Sequence, residues 1–474
     1  MNIKRLNQTG FLLEDTIENI NRYKSFLMTE RPEARYTWKG QMGLDTNYYF
    51  YIQQSNTQLI VPNGFLEYFN YKEESEFTEK EIDEFIDFVK PFEPYDYQRL
   101  AVIESILKYR NFVRSATGSG KSLIIGLIAK FLTSRNYKGL ILVPNVSLVE
   151  QFKSDLESYN LNIKISQIGG SKTFKDFEKS DKEYQLIIST YQSLRLHKDL
   201  LKSLDFILTD EAHQCKANEV FDINNKCENA KYKIGFSGTL PEAQADRMRL
   251  ISVFGKPKTY VNARGLIERG LATECNIKVI KFNYDFKLQG EYAKQLKQIK
   301  EYKPRNNFIV NLTLKLKGNT LVLFSHTAHG LELFYDFCKL KNTELIEKAY
   351  KNIVFQKQNH IYFINGLIDG NQREIIRNIL EKEENAVLFA NYATMSTGVN
   401  MKRLHNLVFA SPLKSYVSIT QSIGRGLRLH KSKEVFNLYD IWDNVGYFKS
   451  QFNHRLKKSY EPEGYNISYY NFKI

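Results

Sequence analysis

Ser115-Ala116-Thr117-Gly118-Ser119-Gly120-Lys121-Ser122 decides the reading of this chain. Phe112-Val113-Arg114 before it reads as the end of a short strand, and Leu123 to Leu132 after it reads as an apolar helix. Gly118 and Gly120 let the backbone turn its N–H groups inward, where a side chain would obstruct a phosphate. The helix that follows points its positive end at the same spot. Thr117 to Gly120 therefore wrap a phosphate chain, Lys121 reaches its β- and γ-phosphates, and the Ser122 hydroxyl is placed to ligate Mg²⁺. A strict phosphate loop has Gly at position 115, where this chain has Ser. The competing reading is a glycine-rich turn with a solvated lysine.

Two later patterns weigh against that reading. Leu204-Asp205-Phe206-Ile207-Leu208-Thr209 has the composition of a buried parallel strand, and Asp210-Glu211-Ala212-His213 follows it. A carboxylate at Asp210 suits Mg²⁺, held through water. Glu211, one residue on, points elsewhere and suits the orientation or deprotonation of an attacking water. Far downstream comes Gln421-Ser422-Ile423-Gly424-Arg425-Gly426-Leu427-Arg428, with two guanidinium groups near an anionic ligand in prospect.

With these motifs the chain resembles the superfamily 2 helicases of the DExH type from about Glu93 to Asp443. The Ser115 variant of the loop matches the Ala/Ser-x-Thr-Gly-x-Gly-Lys form of that group. Tyr95-Asp96-Tyr97-Gln98-Arg99 resembles the adenine-reading motif, with Gln98 on the base edge. Leu142 to Val149 with Gln151, and Ser189-Thr190-Tyr191-Gln192-Ser193, resemble the two strand-tracking motifs. Ser237-Gly238-Thr239 resembles the coupling motif. Leu321 to Ser325 resembles the fourth motif, and Thr394 to Asn400, with Gly398, the fifth. Arg425 and Arg428 match the two arginines of the sixth.

The resemblance implies an α/β fold: two tandem RecA-like, doubly wound parallel-sheet domains preceded by a small α+β N-terminal domain. It implies ATP and Mg²⁺ as cofactors. Lys121, Asp210, Glu211, Arg425 and Arg428 would be catalytic, with the arginines reaching the γ-phosphate when a cleft between the two domains closes. Ser237, Thr239 and Gln421 would couple hydrolysis to movement. Pro144, Thr190, Ser325 and Thr394 would hold nucleic-acid phosphates without reading sequence.

Upstream, Arg31 to Gly40 and Leu59 to Phe65 resemble the small N-terminal domain of the UvsW-type phage helicases. That resemblance implies an enzyme that unwinds or branch-migrates forks, junctions and R-loops, moving 3′ to 5′. DNA would be its partner, with RNA inside R-loops, and an oligomer would not be required. Arg31, Arg35, Trp38 and Lys39 form the candidate junction surface. The bland alternative makes Trp38 a core residue and the module a brace for the first motor domain.

Composition agrees with a phosphate-polymer partner. The 474 residues carry a net charge of +14, the sign that suits nucleic acid and equally a lysine-rich solvated surface. Their 30 tyrosines and 32 phenylalanines demand burial or stacking partners. Cys215, Cys227, Cys275 and Cys338 form no C-x-x-C pair, so no zinc ribbon is implied and reduced thiols are expected. Charge throughout the first thirty residues argues against a signal peptide, and no apolar run suits a membrane span. A cytoplasmic enzyme is expected, in the host cell if phage-encoded.

The expected regions are 1–88, 89–258 and 259–474, with a hinge at Pro91-Phe92-Glu93-Pro94 and a turn at Lys256-Pro257-Lys258. Trp38 and Trp442 read as core ahead of base-stacking platforms. Lys294 to Lys300 reads as a solvated helix face, while His326 and His329 either face nucleic acid or pack. Three rival functions remain: an RNA helicase of the same superfamily, a restriction-type motor subunit, and a nucleic-acid-binding module with a silent ATPase.

Overall fold

The computed structural model describes residues 1–31, 33–34, 37–89, 93–169, 172–180, 183–213, 217–341, 353–356, 360–364, 380–392 and 401–474. Contacts divide the chain into two units: Met1–Ser115 with Gly120–Val261, and Asn262–Ile474, with which Ala116–Ser119 are grouped.

The first unit contains two main sheets. Strands β1 (Asn2–Arg5), β2 (Gly10–Glu14), β5 (Ile52–Ser55) and β6 (Gln58–Pro62) make an antiparallel sheet in the order β1-β2-β6-β5, while β3 (Met28–Glu30) and β4 (Asn47–Tyr49) pair separately. Phe11, Leu13, Leu59 and Val61 alternate onto one face of the sheet and join Ile20, Phe65 and Phe69 in a small core. Met248 and Ile251, from the Gln244–Phe254 helix of the motor, complete that core. Gly64 allows the approach: a Cβ there would lie 2.0 Å from the Ile251 carbonyl oxygen. The N-terminal module thus shares a core with the first motor sheet.

That sheet has seven parallel strands in the order β13-β7-β12-β11-β8-β10-β9. They are β7 (Arg110–Ser115), β8 (Gly139–Val143), β9 (Ile165–Ile168), β10 (Leu186–Thr190), β11 (Phe206–Thr209), β12 (Tyr232–Ser237) and β13 (Pro257–Val261). The central strands are buried on both faces, as near-continuous apolar runs such as Leu140-Ile141-Leu142-Val143 require. Pro257 does not sit in a turn. It opens β13, an edge strand, where its missing N–H costs no ladder bond.

The second unit holds eight strands in the order β16-β17-β18-β15-β19-β20-β14-β21. They are β14 (Glu274–Asn283), β15 (Thr320–Phe324), β16 (Ile353–Gln356), β17 (Ile361–Ile364), β18 (Val387–Asn391), β19 (Asn406–Phe409), β20 (Val435–Asp443) and β21 (Asn466–Lys473). All neighbours are parallel except β16 and β17. The expected pair of doubly wound α/β domains behind a small N-terminal domain is what the chain forms. Among the described residues no helix is long and apolar enough to cross a membrane.

Side chains correct two local expectations and decide a third that the sequence leaves open. Trp38 is not core: it stands 66% exposed at the start of a short helix. The Lys294–Lys300 stretch is not all solvated, because Leu296 and Ile299 bury against Phe448. His329 packs, its Nδ1 3.1 Å from Ser411 Oγ and its Nε2 3.2 Å from Asn306 Oδ1, and burial pushes it down to about 3. Trp442 is half-buried and stacks on Phe452, ring centroids 4.3 Å apart. Cys227, Cys275 and Cys338 are free buried thiols, and Cys215 lies outside the described residues.

Two buried ion pairs fasten the second unit. Arg305 forks onto Asp443 at 2.7 and 3.0 Å, and Arg455 onto Asp440 at 3.0 and 2.9 Å. Arg305→Met should strand the Asp443 carboxylate in the core, leaving it, among the described residues, the Tyr284 hydroxyl, which donates to it at 2.5 Å. Loss of one partner of such a pair costs about 3–5 kcal/mol. Denaturant titration should show the loss in the unfolding free energy; an unchanged midpoint would refute it.

Candidate active site

The phosphate loop leaves β7 at Ser115 and enters the Lys121–Thr133 helix. Gly118 and Gly120 have φ of +87° and +76°, so the left-handed backbone favours glycine at both. A Cβ on Gly118 would meet nothing within 4 Å, leaving that side of the loop open to a ligand. A Cβ on Gly120 would meet Gln98 Nε2 at 2.4 Å. Gln98 is buried and its Oε1 accepts from the Tyr95 amide at 2.9 Å, half of a capping box on the Asp96–Lys108 helix. Its amide nitrogen is thereby turned to the loop. Lys121 Nζ donates to the Ser115 carbonyl at 3.2 Å. The Ser122 hydroxyl lies beside Asp155 on the next helix and Tyr159 at its C-cap, and burial pushes both of those groups up.

The acidic turn tops β11. Asp210 N donates to Leu142 O at 2.9 Å and Ala212 N to Phe236 O at 3.0 Å, so β8 and β12 clamp the turn from both sides. Between them Glu211 takes a φ of +44°, uncommon for a residue with a Cβ. The outcome is directional: its carboxylate Oε2 lies 3.2 Å from His213 Nδ1. The same nitrogen lies 2.6 Å from Ser237 Oγ. Ser237 Oγ donates to Thr239 O at 2.5 Å and accepts from Thr239 N at 3.0 Å. Its single proton is therefore directed at Thr239 O, which assigns Nδ1 as the donor toward Ser237, with the Glu211 carboxylate beside the same N–H. Burial holds His213 below its usual range, which agrees with a neutral ring protonated on Nδ1. A relay of polar contacts thus runs from Glu211 through His213 to the Ser237-Thr239 turn.

Electrostatics match the intended ligand. Burial and the neighbouring Glu211 push the Asp210 carboxyl up, and Lys121 draws it back down. The hydroxyls of Ser115, Thr209 and Thr239 are buried without a hydrogen-bond partner among the described residues. A buried carboxylate and a half-buried one side by side, near a lysine and hydroxyls with unused valence, fit a divalent cation and a phosphate chain.

In the second unit the Tyr416–Gly426 helix carries Gln421 and Arg425, and Arg428 follows it. Arg425 is buried, and burial lowers Arg428. Thr273 pins the segment, its N–H donating to Leu427 O at 2.7 Å and its hydroxyl to Arg428 O at 3.2 Å. Gly426 is required by packing, since a Cβ would lie 2.2 Å from the Phe436 ring.

The strand-binding candidates are less uniform. Pro144 is half-buried where β8 ends. Thr190 is only 2% exposed, and its hydroxyl caps the turn at Ser193. Ser325 is half-buried, its hydroxyl 2.8 Å from His326 Nδ1. The Arg31 guanidinium lies over the Tyr48 ring at 4.6 Å. Arg35, Thr394, Gly398 and the Lys39 side chain lie outside the described residues. His213 and Asp155 were not singled out by their sequence context as site residues. His213 is the last letter of the Asp210 tetrad, but its bond to Ser237 spans 24 positions.

Comparison with known proteins places this geometry. Residues 91–242 match the family described as type III restriction enzyme, res subunit. The ATP-dependent DNA helicase UvsW of Enterobacteria phage T4 is 30% identical over 416 residues, 84% of this chain and 78% of that protein. The chain belongs to the UvsW family of superfamily 2 helicases. As a family member it is an ATP-dependent helicase-type enzyme. The putative ATP-dependent helicase Irc3 of Saccharomyces cerevisiae is 27% identical over 73% of the chain, which spans 51% of that relative. In fold, a fragment of a type I restriction HsdR subunit from Vibrio vulnificus aligns with a TM-score of 0.60 at 19% identity, over 82% of this chain and 71% of its own.

Proposed function

We propose that the protein is an ATP-driven DNA helicase that unwinds or branch-migrates forks, junctions and R-loops. The observation that carries the ATPase half is the relay from Glu211 through His213 to Ser237, built on the same sheet as the phosphate loop. ATP would lie with its phosphates in the Thr117–Ser122 loop and its base toward Gln98. Mg²⁺ would be held by Asp210 and by Ser122, whose hydroxyl would turn from Asp155, and would neutralise phosphate charge. Lys121 orients the terminal phosphates. The Glu211 carboxylate, steered by the Nδ1–H of His213, takes the proton of the attacking water. Ser237 and Thr239, at the far end of the relay, pass the state of the acidic turn to the remainder of the motor.

DNA as the polymer is supported by the T4 relative, whose name states it, and by the charge of +14. Strand displacement on forks, four-way junctions, R-loops and RNA duplexes tests it. ATP-dependent remodelling of the branched DNA substrates is expected; activity confined to RNA duplexes would overturn the reading.

Branch choice is proposed to rest on the N-terminal module, where Trp38 is exposed and Arg31 lies close in sequence. Base–aromatic stacking is worth about 1–3 kcal/mol. Trp38→Ala should therefore weaken four-way-junction binding about tenfold while single-strand-stimulated ATPase stays within about twofold. Equal junction affinity in a gel-shift titration would remove Trp38 from the junction surface.

A further inference from the structure

A cavity of about 420 Å³ opens between the N-terminal sheet and the first motor sheet. Its volume falls within the ~300–1,000 Å³ of small-ligand sites. Arg110, Lys233 and Arg249 line it, and among the described residues no Asp or Glu does. Two of these cations are deeply buried: Arg110 is 8% exposed and Lys233 3%.

Their hydrogen bonds do not use them up. Arg110 Nη2 donates to the Gln8 carbonyl, and its Nη1 has no hydrogen-bond partner among the described residues. Lys233 Nζ donates to Asn224 O at 2.5 Å, one bond for three N–H groups. Glu73 attracts Arg110 but is ion-paired with Arg5. Glu228 attracts Lys233 likewise, but neither carboxylate offsets the burial, and the expense shows in the acidities of the two cations. Burial brings Arg110 down to about 10 and Lys233 to about 7, each with another cation nearby. The motor chemistry uses none of the three.

The other walls are aromatic and polar. Tyr49 and Tyr51 line the cavity with ring centroids 5.7 Å apart, edge to face. Asn224 lines it as well, fully buried, with its Oδ1 unpartnered. Cations in the wall, Arg110 and Lys233 close enough to repel each other and Arg249 over the Tyr48 ring, together with flat tyrosine rings, are complementary to a phosphate joined to a flat heterocycle.

We propose that this cavity is a second nucleotide site, distinct from the phosphate loop, that takes one nucleoside monophosphate unit with its phosphate on Arg110 and Lys233. The unit has two sources, a free nucleotide or the phosphorylated end of a strand.

The test uses the full chain with thymidine 5′-monophosphate as probe, by calorimetry, with saturating ADP present to keep the phosphate loop occupied. One saturable site is expected, with thymidine and inorganic phosphate each binding at least tenfold more weakly. Lys233→Met and Arg249→Met should each weaken the probe at least tenfold while thermal midpoint and far-ultraviolet dichroism stay parental; Arg110→Met should do the same if its loss of the Gln8 bond is tolerated. Competition by a 5′-phosphorylated oligothymidylate, and not by its unphosphorylated twin, would assign the strand end. No such competition would assign the free nucleotide. No saturable binding of the monophosphate or of the phosphorylated oligonucleotide would overturn the proposal. So would parental affinity in folded Lys233→Met, or inorganic phosphate binding as tightly as the monophosphate. Because ATP turnover is not the readout, failure here is distinguishable from failure of the helicase reading.

Discussion

Glu211→Gln is expected to bind ATP near parental affinity and to lose turnover by about 10²–10⁴-fold. The amide is isosteric with the carboxylate but cannot accept a proton from water. Its position would survive the change, because the φ of +44° is set by the two backbone clamps, Asp210 to Leu142 and Ala212 to Phe236. The His213 Nδ1–H could still donate to the amide oxygen, so the relay would keep its geometry while losing its base. Lys121→Ala gives the contrast. It removes the ammonium proposed to reach the phosphates and should depress nucleotide binding as well as turnover. Fluorescent-nucleotide titration and steady-state hydrolysis, measured on both variants, separate the two roles. Hydrolysis at the parental rate by Glu211→Gln would show that another group is the base.

Parts of this architecture were legible in the sequence because the physics behind them is local. A strand buried on both faces must be apolar at every position, so β8, β10 and β11 announce themselves as short continuous runs. A phosphate loop needs glycine where φ is positive, and Gly118 and Gly120 stand there. Other parts depend on partners distant in the chain. Pro257 signals a turn until an edge position is known to spare its missing N–H. Trp38 has the size of a core residue, and only the packing of Phe11, Leu59 and Phe65 without it shows that the core is closed. The proton on His213 Nδ1 follows from the satisfied valences of Ser237, a long-range fact with no pattern in the tetrapeptide. Likewise Arg110 and Lys233 look like ordinary strand-end cations until β7 and β12 pair, matching Arg110 with Lys233.

Replacing Arg425 or Arg428 by Lys is expected to lower kcat by about 10³-fold with far less effect on ATP affinity. Their proposed role is to stabilise charge on the transferring phosphoryl, a charge that is greatest in the transition state. An ammonium keeps the formal charge, but it cannot present two parallel N–H groups to phosphate oxygens. The surroundings sharpen the difference. Arg425 is buried on its helix and Arg428 is lowered by burial, so both are partly stripped of water before any ligand arrives. A lysine, more strongly hydrated, would sit less favourably in either place. Thr273 fixes the backbone at Leu427 and Arg428, so the substitution should not move the segment. The same role predicts that a fragment ending at Val261, the last residue of the first unit, retains the loop, the acidic turn and the relay yet hydrolyses almost no ATP. Nucleic-acid-stimulated hydrolysis by that fragment at a rate near the full chain's would show that the first unit carries the whole reaction and that the two arginines serve another purpose.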